Sequence, residues 1–326
     1  MASVPADVAA EAERVRSAAA AVVPAKADGN LLIGTWNIRA FGGLTRKWTA
    51  GERDTPKRDW RAVALIAAVV SRFDVAAIQE VRRDTTALHF LLELLGPRWA
   101  FITSDVTEGD KGNDERLTFV FDTDRVEPSG LVGEVVLPAV VNHPAQQFAR
   151  TPYAASFVRA GVEFILTTVH VLWGDRASDR LAELAAFADW MRGWANRVDD
   201  WNGNLLALGD FNIDRLDDPL FAAFVSTGLW PPAELNAVPR TVFDDDREHH
   251  FYDQIAWFTD VERAPARDLL HGLGYHGHAG GFDFAPHVYP ELDVTAKSWR
   301  ISDHYPLWVE FDLDRPSPLG TAAPAG

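Results

Sequence analysis

Apolar residues along the chain fall into two spacings. Short runs that read as strands are Leu31–Trp36, Val75–Ile78, Leu117–Phe121, Val162–Val169, Leu205–Leu208, Ile255–Phe258 and Pro306–Phe311. Longer stretches between some of them, Trp60–Phe73, Thr86–Leu95 and Arg180–Trp194, repeat their apolar residues at helical spacing. Many strands with a few interposed helices predict an α/β fold with sheets packed face to face and helices outside. Residues 1–29 are Ala-rich with scattered charge and predict a helix or tail peripheral to the core. Residues 314–326 are rich in Pro, Gly and Ala and are expected to be disordered. No repeat or Pro/Ser-rich linker interrupts the rest, so a single domain over 30–313 is the simplest organisation.

The polar residues that bound these strands carry more information than the strands themselves. Asn37 closes the first run, Glu80 the second, His170 the run VEFILTTVH, and Asp210 with Asn212 the run NLLALGDFN. In the opposite sense, Glu115 precedes LTFVF, Asp253 precedes QIAWF, and Asp303-His304 precede YPLWVEF. If strand directions alternate, the ends of one set lie beside the starts of the other, and all these groups gather on one rim. Such a rim holds carboxylates for a hard cation and imidazoles that move protons near neutral pH. That is an inventory for metal-assisted attack of water on phosphorus. Loops are polar in any case, but that explains one residue at a time and not the whole set.

Composition narrows the chemistry. The 326 residues are 47% hydrophobic and 24% charged, ordinary for a globular protein. The absence of cysteine excludes disulfides, thiolate metal sites and cysteine nucleophiles. A net charge of −16 excludes a basic nucleic-acid coat and favours bound cations. No apolar run approaches the roughly 18 residues of a membrane span. Asp7, Glu11 and Glu13 break up the start, so no secretory leader is read there. These features predict a soluble protein of cytoplasmic location.

The segments TWNIRAFGG, AIQEVRRD, DERLTFVF, TTVHVLWGD, LALGDFNID, FYDQIAWF and RISDHYPLWVEF occur in an order that resembles the endonuclease/exonuclease/phosphatase superfamily. The similarity runs from about Leu31 to Leu313 and is greatest to the deoxyribonuclease I branch, including GFDFAP upstream of ISDHYP. The resemblance implies a four-layer α/β sandwich: two mixed β-sheets packed face to face with helices outside. It implies phosphodiester hydrolysis dependent on Mg²⁺ or Mn²⁺, with a structural Ca²⁺ also compatible. Residue by residue, Glu80 resembles the principal metal ligand with Asn37 beside it, and Asp303 a group that helps hold the same or a second cation. His304 resembles a general base oriented by Asp253. His170, held by Glu115, resembles the group that stabilises the phosphate or protonates the leaving oxygen. Asp210 and Asn212 resemble groups that bind the phosphate and the nucleophile.

The resemblance leaves the substrate class open, because one fold hosts many phosphoesters. Arg39 and Arg82 match positions that reach the DNA backbone and minor groove, and arginine forks suit phosphate oxygens. Asn113 stands where deoxyribonuclease I has a tyrosine that wedges into the minor groove. The expectation is a DNA endonuclease leaving 5′-phosphate ends. The alternatives are a phosphatase or phosphodiesterase on a small or lipid-linked ester, and a non-catalytic binding module. Elsewhere, Asp214, Asp217 and Asp218 read as loop acids or a helix cap, and His249 and His250 as part of a charged surface loop. His271, His276, His278 and His287 read as loop residues, and Trp48, Trp173 and Trp299 as side chains near enough to the motifs to line a cleft.

Overall fold

A computed structural model describes residues 3–108, 112–137, 147–197, 200, 203–245, 249–260 and 267–313. In chain order it begins with helix α1 (Ala6–Val22), strand β1 (Asn30–Phe41), α2 (Trp60–Val70), β2 (Val75–Arg82), α3 (Thr86–Leu95), β3 (Trp99–Thr103), β4 (Glu115–Asp122) and β5 (Glu127–Glu134). Next come β6 (Tyr153–Arg159), β7 (Val162–His170), α4 (Ala177–Ala195), β8 (Leu205–Asp210), α5 (Pro219–Val225), β9 (Leu229–Trp230) and β10 (Asp253–Asp260). The described chain closes with β11 (Arg267–Asp268), β12 (Leu273–Gly274), β13 (Ala279–Gly281), α6 (Val294–Arg300) and β14 (Leu307–Leu313). The expected tail at 314–326 lies outside the described residues.

The strands form two mixed sheets. One runs β12-β14-β1-β2-β4-β3, with β13 also against β14, and the other runs β11-β10-β8-β7-β6-β5, with β9 also against β10. The parallel pairs β1–β2 and β7–β8 are central, and their other neighbours are antiparallel. Alternation of side chains divides each central strand between two cores. Leu31 and Ile33 of β1 face Leu206 and Leu208 of β8 in the core between the sheets. Trp36 and Ile38 of β1 point the other way, into a core shared with α1, α2 and α3. Ala207 of β8 packs on Leu184, Phe187 and Met191 of α4. Strands covered on both faces read as unbroken apolar runs, which is why the sequence picks them out. The result is the expected four-layer sandwich. Each fully buried Leu, Ile or Phe in these layers stabilises the fold by about 1.5–3 kcal/mol before chain entropy is counted.

Two features depart from the sequence reading. The sequence runs do not mark β3, β5 and β6, the short strands β9, β11, β12 and β13, or the short helices α5 and α6. β5 is an edge strand with alternating exposure, and β6 carries Ala154, Ala155 and Ser156 in place of large apolar groups. Residues 6–22 are not peripheral: Val8, Val15 and Ala19 of α1 are buried, and its Glu11, 2% exposed, accepts from Arg61 Nη2 at 2.9 Å and from the Tyr289 amide at 2.8 Å. Among the described residues no helix is long and apolar enough to cross a membrane.

Candidate active site

The strand directions bring the polar ends together on one rim. β1, β2, β7 and β8 finish there, and β4, β10 and β14 start there. Register sets the neighbours: Asp210 lies opposite Asp253 across the antiparallel β8–β10 pair and beside His170 across the parallel β7–β8 pair. Gly209 makes that last approach feasible. Its φ is +136°, and a Cβ there would sit 2.2 Å from the Val169 carbonyl oxygen. A bulge presents Glu80. The pairing of β2 shifts register against both β1 and β4 at this point, and Glu80 takes φ +60°. Bulges re-aim side chains, and here the carboxylate leaves the ladder to accept from the Ala40 amide at 2.7 Å.

Two imidazole–carboxylate pairs face each other across the rim. His304 Nδ1 lies 2.7 Å from Asp253 Oδ2, and His170 Nδ1 lies 2.7 Å from Glu115 Oε2. The second contact is off the line of an ideal hydrogen bond, so it acts chiefly as an ion pair. The Nε2 atoms of both rings converge on Asp210 Oδ2, His170 at 3.6 Å and His304 at 3.8 Å. Asn37 Nδ2 donates to the same oxygen at 2.9 Å, and the Asn212 amide donates to Oδ1 at 2.9 Å. The Asn212 side chain holds the Val171 carbonyl at 2.6 Å. Each pair spans the two sheets, because His304 leads into β14 and Glu115 opens β4 in one, while Asp253 opens β10 and His170 closes β7 in the other.

Carboxylates around both rings favour their protonated forms. Burial pushes His304 down, but Asp253, Asp210 and Asp303 outweigh it and raise its pKa to about 10. Burial raises Asp253 to about 6 against the pull of His304. Burial and Arg150 push His170 down, and Glu115 with Asp210 more than reverses this. Burial pushes Glu115 up, yet His170, Arg150 and Arg82 hold it at about 2.

The donor set fits a hard cation. Asn37 Oδ1 and Asp303 Oδ1 are buried with no hydrogen-bond partner, and the Glu80 carboxylate stands at the same pocket, 17% exposed. Oxygen atoms left without donors in an acidic pocket are what such an ion requires. Atoms of Glu80, Glu115 and His170 also lie within 4.8 Å of one another. In that group Glu115 already faces His170, Arg150 and Arg82. The oxygen-rich side at Glu80, Asn37 and Asp303 is therefore the better seat.

Both arginines singled out from the sequence reach the rim, and both are engaged there. Arg39 pairs with Asp303 at 3.2 Å, bonds Ser298 Oγ at 2.9 Å and lies over the Trp299 ring at 3.7 Å. Arg82 pairs with Glu80 at 3.3 Å and Glu115 at 3.5 Å and donates to the Asn113 carbonyl. The outlying acids resolve differently: Asp214 pairs with Arg180 at 2.8 Å, and Asp218 caps α5 through the Phe221 amide at 2.8 Å.

Several contributors escape sequence reasoning. Arg150, nine-tenths buried, sits 2.7 Å from Glu115 and lines the pocket. His250, read as part of a surface loop, is bound to Asp244 at 2.7 Å, stacks on Tyr252 at 4.7 Å and lines the same pocket. Below the rim, Gln79 Nε2 bridges the sheets by donating to Thr35 Oγ1 at 3.1 Å and Thr168 Oγ1 at 2.9 Å. Two fully buried arginines brace the loops. Arg58 donates to the carbonyls of Arg39, Ala40, Arg300 and Ile301, and Arg240 to that of Asp253. Nothing in a short sequence window marks these roles.

Two mixed sheets packed face to face carry paired imidazoles and carboxylates on one rim. The model of the Endonuclease/Exonuclease/phosphatase family matches residues 34–304, and the chain belongs to that family. It is 28% identical over 308 residues to a deoxyribonuclease of Thioalkalivibrio sp. (strain K90mix), covering 89% of this chain and 73% of the relative. It is 27% identical over 303 residues to deoxyribonuclease-1-like 2 of Mus musculus, covering 86% and 91%. Among solved structures, a mannosyl-6-phosphatase of Bacteroides thetaiotaomicron VPI-5482 shares the fold, with a TM-score of 0.55 at 18% identity over 86% of this chain and 99% of that one.

Proposed function

We propose that the protein is a divalent-cation-dependent phosphodiesterase that hydrolyses DNA internally and leaves 5′-phosphate ends. The observation that carries this is the convergence of two imidazole–carboxylate pairs on Asp210 beside an oxygen-rich seat. Glu80, Asn37 and Asp303 would hold the cation, Mg²⁺ or Mn²⁺, which when bound offsets the charge of the phosphate oxygens.

His304, with its ring fixed by Asp253, acts in its neutral form, the fraction that grows as pH rises toward its pKa of about 10, and accepts a proton from water at Nε2 as the water oxygen bonds to phosphorus. The bond from phosphorus to the 3′ oxygen breaks, and His170 gives its Nε2 proton to that oxygen. Glu115 and Arg150 fix the His170 ring between opposite charges. Asp210, held by Asn37 and the Asn212 amide, orients the water between the rings. Arg39 and Arg82 border the pocket and contact the flanking phosphates, and Arg150 contributes positive potential at the scissile one. The relatives named deoxyribonuclease support DNA as the substrate.

A substrate panel tests the reading: plasmid, linear duplex, single strand, RNA and small phosphate esters, each with Mg²⁺, Mn²⁺, Ca²⁺ or chelator. Nicking of plasmid that needs Mg²⁺ or Mn²⁺ and stops with chelator is the expected result. Release of phosphate from small esters with intact plasmid would replace DNA with a small ester.

A further inference from the structure

One wall of the catalytic pocket belongs to a second space. Trp173, His250 and Tyr252 line the pocket on one side and, on the other, a cleft of about 1040 Å³ also lined by Arg215, Leu216 and Phe251. Trp173 is the exposed part of this wall at 53% of its surface. It is nevertheless braced: Arg180 lies under its ring at 4.7 Å, and Tyr252 meets it edge-on at 5.6 Å. Arg180 is itself anchored by Asp214 and the Asn212 carbonyl, so the indole is tied to the same strand end that carries Asp210. Tyr252 in turn packs 5.8 Å from the His304 ring.

An exposed indole held rigid beside a phosphate-processing centre can stack on a nucleobase. We propose that Trp173 is a stacking platform for an unpaired base next to the scissile phosphate, and that the adjoining cleft takes single-stranded DNA. This rests on the nuclease reading above and specifies its substrate. A base inside a duplex has both faces covered by its neighbours, so only a base free of the stack can lie on Trp173. Charge agrees with that orientation. Asp214, Asp217 and Asp218 line the cleft. Their carboxylates accept hydrogen bonds from the amino groups of a base turned toward them, and Arg215 on the same lining offers a cation to a phosphate of the strand. The backbone then follows the rim, where Arg39, Arg82 and Arg150 stand.

The test compares Trp173→Ala and Trp173→Phe with the unaltered full-length protein on a single strand and on the same sequence as a duplex. Loss of one base–aromatic stack reduces single-strand kcat/KM by roughly 5- to 150-fold for the alanine variant. The loss appears mainly in KM, is much smaller on duplex, and is largely restored by phenylalanine. A second readout needs no turnover: a single strand carrying 2-aminopurine is titrated in chelator. Its fluorescence is quenched by the unaltered protein and by Trp173→Phe but not by Trp173→Ala. Equal losses on the two DNA forms, or equal quenching by all three proteins, overturn the platform and leave the active-site reading standing. An unaltered protein that cuts neither DNA form but hydrolyses a small ester overturns the nuclease reading and the platform with it.

Discussion

Gly209→Ala is the sharpest perturbation the structure offers, because one methyl group meets two penalties. The new Cβ would stand 2.2 Å from the Val169 carbonyl oxygen and 3.0 Å from its amide nitrogen, both rigid backbone atoms of β7. The residue would also hold φ +136°, outside the range of an L side chain. Overpacking costs about 1–3 kcal/mol, and a strained backbone position costs a further ~1–3 kcal/mol. At about 2–4 °C per kcal/mol for a domain of this size, the melting temperature falls by on the order of 5–20 °C. The strain acts between His170 and Asp210, so turnover falls further than stability at a temperature where the variant is still folded. Differential scanning calorimetry and initial rates at 20 °C measure the two effects. A variant with unaltered melting temperature and rate would refute the reasoning, since it would mean that β7 and β8 do not approach so closely there.

Three further outcomes are expected. His304→Ala lowers kcat by a factor on the order of 10²–10⁴ with the fold retained by circular dichroism; unaltered turnover would remove it from the proton transfer. Glu80→Gln shifts the Mg²⁺ dependence of the rate to higher concentration, and an unchanged titration would count against its role as a ligand. Glu115 is held at about 2 in the folded protein, below its ordinary 4.5, so its ionisation stabilises the fold above pH 4.5 and that contribution is lost as pH falls toward 2. The stability gap between the unaltered protein and Glu115→Gln should therefore narrow over that interval in urea melts, and a constant gap would contradict the pairing.

The sequence exposes the rim because of strand direction. Asn37, Glu80, His170 and Asp210 close apolar runs while Glu115, Asp253 and His304 lead into them, so opposed strand directions bring them together although β1–β2 and β7–β8 run parallel. It does not expose Arg150, whose neighbours show no periodicity, or His250, whose setting of acidic residues reads as a solvated loop. Gln79 and Thr168 lie inside apolar runs, and their value appears only when the opposite sheet supplies the partner. From sequence α1 reads as peripheral because alanine gives little contrast between faces, and only Val8 and Val15 mark the buried side.

Because each imidazole–carboxylate pair is completed by side chains from opposite sheets, neither sheet alone contains the whole set. The last component arrives late in synthesis, since His304 comes just before the final described strand and Glu80 more than half the chain earlier. Under the proposed mechanism, a nascent or half-open molecule would leave phosphoesters around it intact, and cutting would gauge completed docking. Any agent that parts the layers, even with every strand intact, would then abolish that activity.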